Sequence, residues 1–245
     1  MSYLFSFMSL TDLVLCCSIV MIAAILQVSV GMGFGMLASP LIALVRPDFV
    51  PGSILLMGLV VAFAGAWRER SNISIVEMKL GVVGRVIGSI IAVLLLGMIA
   101  SIDSFLVLFG TIMLVAVALS ASGIQFGFNN KNLFGLSVVS GTMGTITAVG
   151  APPMAIIYHD RNPAVVRPTL NAFFFANSLL GLIGLVAAGW LTWNDLVASI
   201  VFFPAMVLGI LVSGPFKALP SQMLSRLLLA LSGIASVTLI YRGLV

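Results

Sequence analysis

Gly31-Met32-Gly33-Phe34-Gly35-Met36-Leu37-Ala38-Ser39-Pro40 and Gly144-Thr145-Ile146-Thr147-Ala148-Val149-Gly150-Ala151-Pro152-Pro153 lie 113 positions apart in a chain of 245 residues. Each stretch falls inside a long apolar run, where a membrane helix would otherwise be continuous. Glycine loosens the backbone there, and proline removes a donor and interrupts the ladder. Breaks at corresponding places in two halves of a chain are the pattern of secondary carriers, whose broken helices meet at a substrate site near the bilayer midplane. The repeat therefore points to a carrier with its site at the two breaks.

Composition sets the solvent. The chain is 61% hydrophobic and 7% charged, with a mean hydropathy of +1.27, which leaves too little polar surface for a soluble domain. A net charge of +4 would suggest nucleic acid in a soluble protein. The basic residues are instead scattered through short loops, so they read as topology determinants and no nucleic-acid partner is expected. The first apolar stretch has no basic region before it and carries Asp12 at its start, so a cleaved signal peptide is not expected. Cys16 and Cys17 are adjacent, a spacing that suits neither a metal site nor a disulfide framework, and they read as small apolar side chains.

Apolar stretches fall at 12–30, 36–45, 51–66, 80–99, 104–121, 132–149, 151–158, 168–191, 195–216 and 224–241. Helices are expected throughout, because lipid leaves the backbone no other partner and nothing alternates with period two. The second and seventh stretches are too short to span a core that needs about 20 residues. Each either fuses with its predecessor into one kinked crossing or folds back as a hairpin. Single crossings would divide Lys and Arg evenly between the two faces. Hairpins leave six full crossings and gather Arg68, Arg70, Lys79, Lys131, Arg161, Arg167, Lys217 and Arg226 on one face. The other face keeps Arg46 and Arg242 beside Asp12, Asp48, Asp103 and Asp195. By the positive-inside rule the first face is cytoplasmic and both termini lie outside. The expected fold is an all-α integral membrane protein, multi-pass in the cell (inner) membrane. It is one transmembrane domain over 1–245, built from inverted repeats of about 10–121 and about 131–243, each a broken-helix hairpin plus three transmembrane helices.

At the two hairpins the sequence resembles the TauE/SafE family of sulfite and organosulfonate exporters. The resemblance rests on Gly31, Gly33, Gly35 and Pro40, on Gly144, Gly150, Pro152 and Pro153, and on the two-half layout of nearly the whole chain. It implies an integral membrane carrier for small sulfur-containing anions or related small organic acids, without a tightly bound cofactor. More distant relatives place cysteines along a thiosulfate path. Cys16 and Cys17 lie away from the breaks, a departure from that pattern.

An anion in the membrane needs pre-arranged donors to offset its desolvation. Glycines at a break let the backbone approach, and a restarting helix offers its positive end. Candidate donors run from Gly33 to Ser39 in the first half and from Thr145 to Ala151 in the second, with hydroxyls from Ser39, Thr142, Thr145 and Thr147. The alternative is that these small residues only let helices pack closely. Asn171 and Asn177 share one apolar stretch six residues apart, too far round the helix for both to face one small pocket. Asn177 is the deeper candidate for substrate contact, or else an interhelical hydrogen bond worth about 0.6 kcal/mol. Gln27, just before the first break, has the same two readings. Arg85 is the one basic residue inside a predicted crossing and could fork onto sulfonate oxygens. Its position near the expected cytoplasmic end also allows it to snorkel. His159, the single histidine, could link transport to protons, or it is a surface residue beside Asp160 and Arg161. Trp67, Trp190 and Trp193 flank crossings and read as interfacial anchors.

Other function classes fit less well. An intramembrane enzyme would need a nucleophile–base pair or a metal cluster at depth, and no carboxylate sits deep in a predicted crossing. No phosphate-binding loop is present to drive a primary pump. A scaffold whose glycines only pack helices, or a channel lined by the hairpins, remains as the alternative. The chain could act as a monomer or associate with copies of itself through glycine-rich faces.

Overall fold

The computed structural model describes residues 8–30, 33–213 and 221–245; Gly31 and Lys217 lie outside the described residues. The first half contains α1 (Leu10–Val30), α2 (Phe34–Val45), α3 (Gly52–Arg68), α4 (Ile75–Gly97) and α5 (Ile102–Ala121). The second contains α6 (Asn130–Thr147), α7 (Ala151–Tyr158), α8 (Pro163–Ala187), α9 (Trp193–Val212) and α10 (Ser221–Leu244). Two short 3-10 turns, Pro47–Phe49 and Arg70–Asn72, flank α3. Among the described residues there is no strand, and the protein is an all-α membrane protein.

Among the described residues six helices are long and apolar enough to cross a bilayer: those at Leu10–Gln27, Ile75–Gly97, Ile102–Ala121, Ala164–Ala187, Trp193–Val212 and Arg226–Leu244. This set differs from the sequence expectation in one member. The expected crossing at 51–66 is the 17-residue α3, at the short end of what spans, while the first arm of the first hairpin is long enough by itself. Apolar side chains such as Val83, Ile90, Leu94, Ile200 and Leu211 are exposed along these helices, as a lipid-facing surface requires.

Both short helices fold back. Ser137 on α6 and Met154 on α7 come within 3.9 Å, whereas a continuous helix would hold them about 25 Å apart. α2 packs back against α1, so the first hairpin also returns toward its starting end. Gly33 and Gly150 are the N-caps of α2 and α7, so the breaks are 117 positions apart. That corrects the spacing of 113. Pro40 sits in mid-helix in α2, while Pro152 and Pro153 open α7, and the prolines are not equivalent.

Helix packing pairs the halves. α4 lies on α6 as α9 lies on α1, and α3 meets α8 as α5 meets α10. A side chain at Gly88 would run into the Val138 carbonyl, and one at Gly209 into the Met21 carbonyl. Met21 and Val138 are again 117 apart and Gly88 and Gly209 are 121 apart, so each half makes the same kind of close approach. Small residues permit this contact between backbones, which lipid-embedded helices use in place of a hydrophobic drive.

The two ends of the bundle separate by charge as expected for hairpins. At one end Arg242 donates to the Leu44 carbonyl at 2.6 Å, and Asp195 accepts the Ser53 amide at 3.1 Å and caps α9 with Thr192. At the other, the Ser74 amide reaches Thr169 at 3.0 Å, and Glu77 binds the Tyr158 hydroxyl at 2.8 Å and Arg161 at 2.5 Å. Arg68, Arg70, Lys79 and Arg167 are exposed at this second, basic end.

Candidate functional site

The two breaks meet. Ser39 in α2 donates its hydroxyl to the Thr147 carbonyl, and Gly35 lies so close to Ala148 that a side chain there would strike the Ala148 carbonyl. Each turn is built by its own sequence. Gly33 has φ 129°, a region that L side chains rarely adopt. The Phe34 amide, first of the new helix, is capped by the Gln27 side chain at 3.0 Å. In the second half Ala148 takes the left-handed turn at φ 60°, and the Val149 amide is caught by the Thr147 hydroxyl at 3.2 Å. The Ser140 hydroxyl then holds the Gly150 carbonyl.

Between the breaks opens a cleft. Gln27, Gly33, Phe34, Gly35 and Met36 line it from the first half, and Ala148, Val149, Gly150 and Ala151 from the second. Five residues of α3 between Ile54 and Ala62 and four of α8 between Asn171 and Ser178 complete the walls. Asn171 and Asn177 both line it, against the expectation that they could not share a pocket. The cleft extends along α8 rather than gathering at one point, so two side chains about 9 Å apart along the axis can both border it. The Asn177 side chain is buried against Gly144, and its Oδ1 has no hydrogen-bond partner.

The hydroxyls predicted as anion donors are engaged in structure. Ser39 joins the two breaks, while Thr147 donates to the Met143 carbonyl at 2.7 Å and caps Val149. Thr145 pairs with Ser89 at 3.0 Å, and Thr142 bridges α6 to the Gly88 carbonyl at 3.1 Å. Pro152 and Pro153 are buried in the first turn of α7 and remove two of its four leading N–H groups. Backbone donors at the second break are therefore few.

The charge comes from Arg85, and it does not snorkel. Its side chain is fully buried, and Nε, Nη1 and Nη2 have no hydrogen-bond partner. The guanidinium lies 5.3 Å from the centre of the Phe173 ring and 5.6 Å from that of Phe174. Its Nη1 would stand 3.6 Å from a side chain at Gly150, which lines the cleft. Gly81, Gly84 and Gly88 seat α4 on its neighbours, with Gly84 against Phe134 and Ser137 of α6, and this close contact turns Arg85 inward. A buried cation without a partner costs several kcal/mol, which position in sequence could not reveal.

His159 stands apart from the cleft. Its Nδ1 is 3.0 Å from the Ile156 carbonyl and its Nε2 is 2.6 Å from Asp160, at the basic end. Among the described residues no cluster of His, Cys, Asp and Glu could hold a metal ion, and Cys16 and Cys17 are unbridged.

A family model described as the sulfite exporter TauE/SafE matches residues 16–239, nearly the whole chain. The chain belongs to the TauE/SafE family. TauE/SafE proteins are membrane transporters of the sulfite-exporter type rather than enzymes, and the six long apolar helices agree with a multi-pass membrane transporter. No curated protein and no solved structure matches the chain.

Proposed function

We propose that this TauE/SafE protein is a secondary carrier that exports a small organosulfur anion, sulfite or a sulfonate, held in the cleft between its two broken hairpins. Arg85 carries this reading. A fully buried guanidinium with no acceptor, beside a glycine that lines the cleft, is a cation waiting for an anion. At the first break Gly35 and Met36 line the cleft as the second and third residues of α2, where amides and helix dipole favour negative charge. Asn177 would add a polar contact to a bound oxyanion.

The repeated contacts of α4 on α6 and α9 on α1 support transport by rocking of two inverted repeats, 10–121 and 131–243, about the breaks. The basic end faces the cytoplasm of the cell membrane and both termini face outward, in keeping with the charge asymmetry of the two ends. Counterflow in proteoliposomes tests the carrier. Labelled sulfite and a panel of sulfonates and carboxylates are offered to purified protein. Saturable exchange of a sulfur oxyanion is expected; flux that never saturates would make the protein a channel. No flux from folded protein would leave a scaffold.

A further inference from the structure

Resting on that carrier reading, we infer that the transported species is a monoanion: a sulfonate, or hydrogensulfite rather than the sulfite dianion. The argument is a count of charges around one side chain. Arg85 supplies a single positive charge. The helices gathered about it add no carboxylate: α6 contains Lys131, α7 contains Tyr158 and α8 contains Arg167 as their titratable groups. Lys131 and Arg167 are exposed at the basic end, so neither joins the guanidinium in the interior. Glu77, in the first turn of α4, is already held by Tyr158 and Arg161. Against the guanidinium itself stand the Phe173 and Phe174 rings and Gly150, none of which carries a charge. In such surroundings one bound negative charge is neutralised. A second would be left uncompensated in an apolar interior, at the same penalty that makes lone buried ions rare.

Oxyanion shape agrees with charge. The five N–H donors of a guanidinium lie in one plane and pair side-on with two oxygens of a sulfonate or hydrogensulfite group. The consequence reaches beyond binding. Sulfite and hydrogensulfite interconvert near neutral pH. Each hydrogensulfite carried out takes one proton with it and releases that proton where the medium is more alkaline. Sulfite export would then move protons without any titrating side chain, and His159 has no part in it.

The test compares two substrates in one preparation. Purified protein in liposomes is offered labelled methanesulfonate, a monoanion throughout, and labelled sulfite, with flux into protein-free vesicles subtracted. Methanesulfonate flux should stay level from about pH 6 to about pH 9, while sulfite flux falls roughly tenfold per pH unit once the dianion dominates. His159→Gln should leave both profiles unchanged. Arg85→Lys, which keeps the charge and loses the fork, should slow both substrates and preserve the shape of the sulfite profile. A sulfite flux that holds level or rises with pH beside a level methanesulfonate flux would overturn the inference and leave the carrier standing. A profile that flattens in His159→Gln would place the proton on the protein and also overturn it. Absence of saturable flux for both substrates would remove the carrier reading, and this inference with it.

Discussion

At the first break the chain turns on Gly33, a glutamine side chain caps Phe34, and the next two residues of α2 line the cleft. At the second break two prolines take away the corresponding donors, and a buried arginine stands behind Gly150. In the proposed carrier the two halves make opposite contributions to the site, backbone dipoles on one side and a full charge on the other. The difference is visible residue for residue. Gly88 and Gly209 make the same kind of close approach, and three residues before each stand Arg85 and Met206, both buried. A repeat that sets geometry twice need place charge only once, because two unpartnered cations at one cleft would repel each other. Shape is duplicated here, and chemistry is not.

The strongest way to break this comparison is to remove the charge. Arg85→Gln should lower exchange flux by about a hundredfold or more, since a charge-assisted pair and its desolvated setting disappear together. Its thermal midpoint in detergent should hold or rise, because an unpartnered buried cation has gone. Met206→Leu, at the matching place, should change flux by less than about twofold, as volume-conserving core changes do. Equal losses at the two positions would erase the asymmetry.

Gly35→Ala comes next. Its methyl group would meet the Ala148 carbonyl and force the two breaks apart, so flux should fall about tenfold and stability by about 1–3 kcal/mol. Transport kinetics and a thermal melt on one preparation check both numbers. Gln27→Leu leaves the Phe34 amide uncapped at the cleft and should cost about 1–2 kcal/mol, with a rise in KM for the anion. Ser39→Ala removes the hydroxyl that ties α2 to the Thr147 carbonyl. About 1 kcal/mol is expected there, with flux nearly unchanged, because that hydroxyl holds structure rather than substrate. A large loss of flux in Ser39→Ala, with the melt unchanged, would put the hydroxyl back among the anion donors.

Much of the plan was legible in the chain. Glycine and proline in the middle of apolar runs mark both breaks, and the placement of Arg and Lys against Asp favours hairpins over single crossings. In the structure Arg161, just after the second hairpin, reaches Glu77 at the start of α4, and Arg242 reaches the Leu44 carbonyl at the end of the first hairpin. Register was harder to read. The motifs are loose runs of small residues, so their likeness in sequence implies a spacing four residues short of the N-caps, Gly33 and Gly150. Asn171 and Asn177 were separated by a rule that holds for a point-like pocket and fails for a cleft running along α8.

What the sequence by itself determined was the solvent, the helices and the two interruptions, because those follow from hydropathy and from the local backbone preferences of glycine and proline. Only the tertiary structure decided where Arg85 points. Depth along a helix permits either snorkelling or burial, and the choice depends on which face the glycines of α4 press against α6. It also decided which hydroxyls are free. Ser39, Thr145 and Thr147 look alike in sequence as potential donors, but their partners lie on other segments or across a turn, and contacts between distant residues are set by packing rather than by local pattern.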